Sequence, residues 1–172
     1  MNQEELEKKL SDAYDKMMER VHQLLDTAEQ QALPTLQKNI EKAKQQAIEL
    51  QEVTAEEAEK IAGYIERDLH EAASYLQQTG QEFTSWLNFD LQMVEQRLLD
   101  LFANVADKTR LEMDRLSAQA QIYQTYHTGE ISTIGTLLCD NCGNEIHFKK
   151  TGRIPPCGKC HHTSFKRRFP NT

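Results

Sequence analysis

The first 138 residues of this 172-residue chain contain no cysteine, so thiol chemistry and disulfides are excluded from most of the protein. No apolar run approaches the ~20 residues of a membrane-spanning helix. The N-terminal segment also lacks the apolar core of a signal peptide, so we expect the protein to be cytoplasmic. Hydrophobic residues make up only 38% of the chain and charged residues 27%, a composition normal for long, surface-rich helices.

The sequence also lacks the motifs that carry common enzyme chemistry. It contains no phosphate-binding glycine loop, no dinucleotide fingerprint and no matched nucleophile and base. An enzyme is therefore the least supported class, and we predict no catalytic residue and no small-molecule substrate.

Apolar residues recur at steps of three and four over the first half of the chain, the pattern of amphipathic helices with a narrow, coiled-coil-like seam. Between residues 3 and 50 these positions are Leu10, Tyr14, Met17, Val21, Leu24, Ala28, Leu33, Leu36, Ile40, Ala43, Ala47 and Leu50. Pro34 should kink or restart the helix. Thr54 and Glu57 form a capping box that begins another helix, with Val53 as a hydrophobic staple on Ala58.

Further apolar faces follow that helix start. The next one comprises Ala58, Ile61, Ile65, Leu69, Ala72 and Leu76, and the richest comprises Phe83, Leu87, Leu91, Val94, Leu98, Leu101 and Val105. We predict a mainly α protein with a small β part: a long antiparallel helical hairpin or bundle over residues 1–127, then a separate module over residues 128–172.

The charge is also divided unevenly along the chain, with the division at the first cysteine, Cys139. Residues 139–172 hold seven basic and two acidic side chains, a net +5, whereas the whole chain carries −7, so the remainder carries −12. Such a division indicates two modules that bind different partners or attract each other.

All four cysteines lie in two Cys-x-x-Cys pairs, Cys139 with Cys142 and Cys157 with Cys160, separated by 14 residues. Reducing cytosol disfavours disulfides, and paired motifs at this spacing indicate a metal. Four thiolates would close the coordination shell, which predicts one structural Zn²⁺ per chain rather than a catalytic one. Iron in the same cage would instead make an electron carrier, an alternative that four sulfurs leave open.

The segments around the cysteines suggest a zinc ribbon. "ISTIGTLL" reads as a strand, "NEIHFKKTGRIPP" as a hairpin with its turn at Lys150–Gly152, and "HHTSFKRRF" as a returning strand. We interpret His161 and His162 as exposed rather than as ligands, because four cysteines already satisfy the metal. His22 and His70 are expected to face solvent.

The stretch "YHTGE", residues 126–130, contains acid–base groups, but no convergent partners that would make a catalytic site. Gly129 predicts a helix end, since glycine suits the left-handed position just beyond a helix. We expect this segment to pack the ribbon against the helices.

The chain resembles a family of uncharacterised bacterial zinc-ribbon proteins, a domain of unknown function. The resemblance rests on "LQEVTAEEAEKIAGYIERDLHEAA", "DKTRLEMD", "YHTGEISTIGTLLC" and "CGKCHHTSFKRRF". It implies an N-terminal helical region and a C-terminal four-cysteine zinc ribbon in a bacterial cytoplasm, and it brings no known activity. The family's usual ending, Arg-Arg-Pro-Phe, is replaced here by Arg167-Arg168-Phe169-Pro170.

Two further functions compete for the ribbon and the helices. The helices offer a surface for a protein partner or for a homodimer. The basic ribbon, with Phe148, Phe165 and Phe169 among its cations, suggests nucleic-acid binding to RNA or the ribosome. Replacing one cysteine by serine should, on the two-module view, unfold the ribbon and leave the helices largely intact.

Overall fold

In the part of the chain that the structure describes, three long helices precede a small, strand-rich C-terminal part. The computed structural model describes residues 2–27, 36–79, 100, 104–105 and 125–168, with the backbone alone for 27 and 72–79. The helices are α1 (Gln3–Thr27), α2 (Leu36–Glu49) and α3 (Ala55–Thr79). The strands are β1 (Tyr126–His127), β2 (Ile131–Ser132), β3 (Gly135–Cys139), β4 (Glu145–Phe148), β5 (Gly152–Arg153) and β6 (Ser164–Arg167). The mainly α class with a small β part is confirmed.

Helices α1, α2 and α3 pack against one another through the faces that the periodicity predicted. Tyr14, Met17 and Val21 of α1 are buried, and so are Ala13 and Met18 beside them. The buried face of α1 is therefore wider than a two-position seam, because this helix contacts both α2 and α3.

Local signals set the ends of α2 and α3. The capping box at α3 is confirmed: the Thr54 amide donates to Glu57 Oε2 at 2.8 Å, and the Glu57 amide donates to Thr54 Oγ1 at 3.2 Å. Helix α2 ends in a Schellman motif with Gln51 in the left-handed region, at φ 56°. Leu50 was wrongly placed on the apolar face, because it follows the last helical residue and is 64% exposed.

The strands form two antiparallel sheets, one in the order β1-β6-β3-β4 and the other from β2 and β5. The segment "ISTIGTLL" therefore holds two strands that belong to different sheets. The predicted hairpin within residues 144–156 is wrong, since β4 pairs back with β3 and β5 pairs with β2. The returning strand β6 is confirmed, and it lies between β1 and β3.

Gly129 has the positive φ that its position predicted, 96°, but in a different setting. It follows strand β1 in a turn, and its amide donates to the carbonyl of Ile154 at 2.8 Å. The interpretation of residues 126–130 as a helix end is therefore wrong: Tyr126 and His127 pair with Phe165 and Ser164 in the sheet.

Part of the C-terminal module lies inside the helical core. Ile131 and Ile134 belong to the same buried cluster as Tyr14, Ile61 and Ile65. Strands β2 and β5 pack on α1, and β2 also packs on α3. Thr151 Oγ1 donates to Asp15 Oδ1 of α1 at 2.6 Å.

Several predicted features lie outside the described residues: the side chains of Ala28, Leu33, Ala72 and Leu76, the kink at Pro34, the face from Phe83 to Leu101, and Phe169. Val105, the last position of that face, is buried in the helical core. Among the helices that the structure describes, none combines the length and apolar character needed to cross a membrane.

Replacing Ile134 by Ala should lower the free energy of unfolding by about 3 kcal/mol, because the side chain is fully buried against the helices. Leu50→Ala, which shortens an exposed aliphatic side chain, should change it by less than about 0.5 kcal/mol. Urea unfolding followed by helix circular dichroism measures both. Equal effects for the two variants would contradict the shared core.

Candidate metal centre and its buried support

Two knuckles with the same backbone geometry present the four cysteines. In the first, the Cys139 amide donates to the Asn144 carbonyl and the Gly143 amide donates to the Cys139 carbonyl, both at 2.9 Å. In the second, the Cys157 amide donates to the His162 carbonyl and the His161 amide to the Cys157 carbonyl, again at 2.9 Å. The fifth residue of each knuckle is left-handed: Gly143 has φ 69° and His161 has φ 59°.

The four sulfurs converge, with all of them within 4.8 Å of one another. Cys139 Sγ lies 3.5 Å from Cys160 Sγ, and Cys142 Sγ lies 3.6 Å from Cys157 Sγ. These separations are too long for a disulfide, and the four cysteines are free. A tetrahedron with Zn–S bonds of about 2.3 Å has sulfurs about 3.8 Å apart, so the spacing fits such an ion.

The surroundings of the cysteines shift their thiol pKa values in different directions. Asn141 and the His162 amide are the leading causes that lower the pKa of Cys160, to about 6. The amides of Cys160 and Lys159 lower the pKa of Cys157. The Asn144 amide also favours the Cys142 thiolate, but burial and the neighbouring sulfurs outweigh it and raise that pKa to about 12. Four thiolates held this close together would repel one another unless a cation lay between them, so the donor set suits a bound metal.

The histidines stand apart from the sulfurs. The side chains of His161 and His162 are exposed, and the metal-compatible cluster among the described residues consists of the four cysteines. His161 serves through its backbone, as the counterpart of Gly143. His70 was wrongly expected to face solvent: it is buried on α3, and burial lowers its pKa.

A buried group of charged side chains joins the ribbon to α3, and sequence reasoning missed it. Arg67, Asp68 and Glu71 come from α3, and Tyr126 and Arg167 come from the ribbon; we call these five residues the docking network. Two cations and two carboxylates are thus buried together, which is favourable only when each is paired and hydrogen-bonded.

Arg167 is the ribbon's main contribution to the docking network. Its Nε donates to Glu71 Oε2 at 3.3 Å, and its Nη2 lies 3.0 Å from Tyr126 Oη and 3.5 Å from Asp68 Oδ1. The guanidinium passes directly over Gly135, where any Cβ would collide with it. Burial alone would lower the pKa of Arg167, but Tyr126, Asp68 and Glu71 together outweigh it and raise that pKa.

Arg67 makes the reciprocal contact from the helix. Its Nη1 donates to Glu130 Oε2 at 2.5 Å and its Nη2 to the carbonyl of Ile131 at 2.9 Å. Its guanidinium carbon also lies 3.8 Å from the centre of the Tyr126 ring, within cation–π range. These contacts confirm that residues 126–130 pack the ribbon against the helices, although the side chain of His127 is exposed.

Asp68 and Glu71 are the acidic half of the docking network. Asp68 Oδ2 accepts from Tyr14 Oη at 2.9 Å and from the Thr133 amide at 3.0 Å, so it links α1, α3 and the ribbon. Glu71 Oε2 accepts from Tyr126 Oη at 2.5 Å. Burial raises the pKa of Glu71 to about 7, because the lost solvation outweighs the attraction of Arg167.

One signal in the sequence could have revealed part of this network. Asp68 lies three residues after Ile65 and seven after Ile61, so it falls on the predicted apolar face of its helix. A carboxylate at such a position must find a partner inside the protein. Nothing in the sequence identifies that partner as Arg167, 99 positions further along.

The fold and the four sulfurs define a class of protein in which a small β module carries four cysteines placed to bind a metal ion. The model of the family described as "zinc-ribbon containing domain" matches residues 23–169, and the chain belongs to that family. The chain is also similar to the "Uncharacterized protein YbeL" of Escherichia coli strain K12, at 29% identity over 118 residues, which cover 68% of this chain and 72% of that protein. Proteins with the same description in E. coli strains O6:H1 and O157:H7 match equally well, and no solved structure matches.

His161→Gly should stabilise the metal-loaded protein by roughly 0.5 kcal/mol, because it relieves a left-handed conformation that costs a side-chain-bearing residue about 1–2 kcal/mol. The neighbouring His162→Gly should give no gain, since His162 does not have a positive φ. Chemical unfolding with saturating zinc compares the two variants. A gain for both, or for neither, would contradict the assigned backbone role of His161.

Glu71→Gln should flatten the dependence of stability on pH. The raised pKa means that Glu71 favours folding below its ordinary value of 4.5, and that this contribution is lost as the pH rises through about 7. Between about pH 5 and pH 8 the native protein should lose on the order of 3 kcal/mol relative to the glutamine variant. Unfolding at several pH values with saturating zinc tests this, and parallel pH profiles for the two proteins would refute it.

Proposed function

We propose that the protein is a non-enzymatic zinc-binding protein in which Cys139, Cys142, Cys157 and Cys160 hold one structural Zn²⁺. The observation that carries this proposal is the convergence of four free sulfurs to within 4.8 Å at the ends of two matching knuckles. Membership of a zinc-ribbon family supports the same metal.

A structural rather than catalytic role follows from the donor set. A catalytic zinc keeps one position open for water or substrate, whereas four thiolates complete a tetrahedral shell. Their negative charge also makes the ion a weak Lewis acid. The metal would instead supply the folding energy that a β module of this size lacks, since structural zinc sites contribute ~10–16 kcal/mol at neutral pH.

Zinc is preferred to iron in this proposal, although a four-sulfur tetrahedron suits both metals. The iron alternative implies electron transfer, and it rests on donor type alone. We place the protein in the cytoplasm, because a reducing compartment keeps cysteines available as thiolates.

We also propose that the helical region binds a protein partner or a second copy of the chain. Support comes from the charge division, with −12 over the first 138 residues, and from the amphipathic helices. A coiled-coil-like antiparallel hairpin remains a prediction for this region.

The structure weakens the basis of the nucleic-acid alternative. Phe148 and Phe165, which would have stacked on bases, are buried in the ribbon core. Three of the seven basic side chains are paired with carboxylates: Arg153 with Glu7, Arg167 within the docking network, and Arg168 with Glu145. The exposed cations that remain are the lysines of the ribbon: Lys149, Lys150, Lys159 and Lys166.

Purified protein should contain one zinc per chain, and serine in place of any single cysteine should reduce that content sharply, because three thiolates and a hydroxyl hold Zn²⁺ far more weakly. His162→Ala, which alters an exposed side chain beside the knuckle, should keep full content. Elemental analysis measures zinc and iron together. Iron as the main metal would favour the electron-transfer alternative, and no metal in the native protein would overturn the proposal.

A further inference from the structure

Tyr126 belongs to two buried groups: the apolar cluster of the ribbon and the docking network that joins the ribbon to α3. The Tyr126 ring packs in the cluster that contains the four cysteines, together with Leu137 and Phe165. Its hydroxyl donates to Glu71 of α3, and the Arg67 guanidinium lies on its ring at 3.8 Å. Tyr126 therefore keeps its position only while the cysteine cluster and α3 both keep theirs.

Strand β6 gives a second connection from the sulfurs to the helices. Phe165 of β6 stands opposite Cys139 in the sheet, and Arg167 stands opposite Leu137. Arg167, whose guanidinium pairs with Asp68 and Glu71, thus lies only two positions along β6 from the residue opposite the first cysteine of the first knuckle. A shift of β6 by one residue would turn Arg167 to the other face of the sheet.

The helical core depends on the ribbon in turn. Ile131 and Ile134 fill part of the core formed by α1, α2 and α3. The Thr133 amide and Arg167 complete the polar contacts of Asp68, which is fully buried. If the ribbon left, this carboxylate and the apolar face beside it would be exposed to water.

We propose that the chain is a metal-dependent clamp, in which an ion held by the four cysteines fixes the ribbon on α1 and α3 and its loss opens that face of the helices. This inference rests on the proposed zinc site. A ribbon of this size does not keep its fold without the metal, so Arg167 and Tyr126 would leave the docking network together. The clamp therefore predicts the opposite of the earlier expectation that the helices stay largely intact without the ribbon.

Hydrogen exchange on the full-length chain tests the clamp directly. Zinc is removed with a chelator and its release is followed with a chromogenic dye, while mass spectrometry reports amide exchange in residues 61–71 of α3. Amide exchange in this segment should become at least about tenfold faster. Its protection should return when Zn²⁺ is restored. If zinc is released and α3 stays protected, the clamp is wrong but the proposed zinc site still stands. A chain that holds no metal would overturn both proposals.

Thermodynamic linkage supplies a second test from the helix side. Coupling is reciprocal, so a helix variant that weakens docking must also weaken metal binding. Arg67→Gln removes the contacts to Glu130, Ile131 and Tyr126 without altering a ligand. Competition with a chromogenic chelator should show zinc affinity about tenfold lower, within the range usual for coupled sites.

Two further variants complete this test. Arg67→Lys keeps the positive charge and so protects the fold, and it should lower zinc affinity in the same direction but by less. Lys60→Gln, on the same helix, breaks only an exposed pair with Glu56 and should leave zinc affinity unchanged. Wild-type zinc affinity in both Arg67 variants would overturn the clamp, as would an equal loss in Lys60→Gln.

Discussion

The placement of Arg167 against Asp68 and Glu71 is the constraint on which the rest of the structure depends. Burying ions costs several kcal/mol each, and mutual pairing with good hydrogen bonds is what offsets that cost. Here the partners come from helices and strands far apart in the chain, so the pairing is satisfied only in one arrangement. We therefore expect the docking network to determine the specificity of docking more than its strength. Ile131 and Ile134 add the apolar burial that favours association.

This arrangement changes the meaning of the charge division seen in the sequence. An acidic helical part and a basic ribbon could have been modules with separate partners. Instead, part of the opposite charge is used within the molecule, where Arg153 pairs with Glu7 and Arg167 pairs with Glu71. The surface left to any partner is correspondingly less basic than the composition of the ribbon implies.

Much of the local structure was predictable, because local rules determine it. The capping box of Thr54 and Glu57, the buried positions of α1 and α2, and the grouping of the cysteines follow from spacing within a few residues.

Strand pairing was harder to predict: the hairpin assigned after Asn144 is absent because β4 pairs with the preceding strand. The pairing within the docking network could not be predicted, since nothing local specifies contacts between positions 68 and 167, although the place of Asp68 on an apolar face indicated a buried carboxylate. The knuckles illustrate the same limit on a smaller scale. Glycine is the residue expected at the left-handed position that Gly143 takes in the first knuckle, but its equivalent in the second is His161, which composition alone would not place in a left-handed turn.

The passage of Arg167 over Gly135 has a consequence for sequence variation. The two positions occupy one volume, so they cannot both carry a long side chain while strands β3 and β6 remain paired. In a homologue, a bulkier residue at 135 would displace the end of the Arg167 side chain from its position beside two buried acids. Positions 68, 71, 135 and 167 should therefore co-vary among homologous sequences, although they lie far apart in the chain.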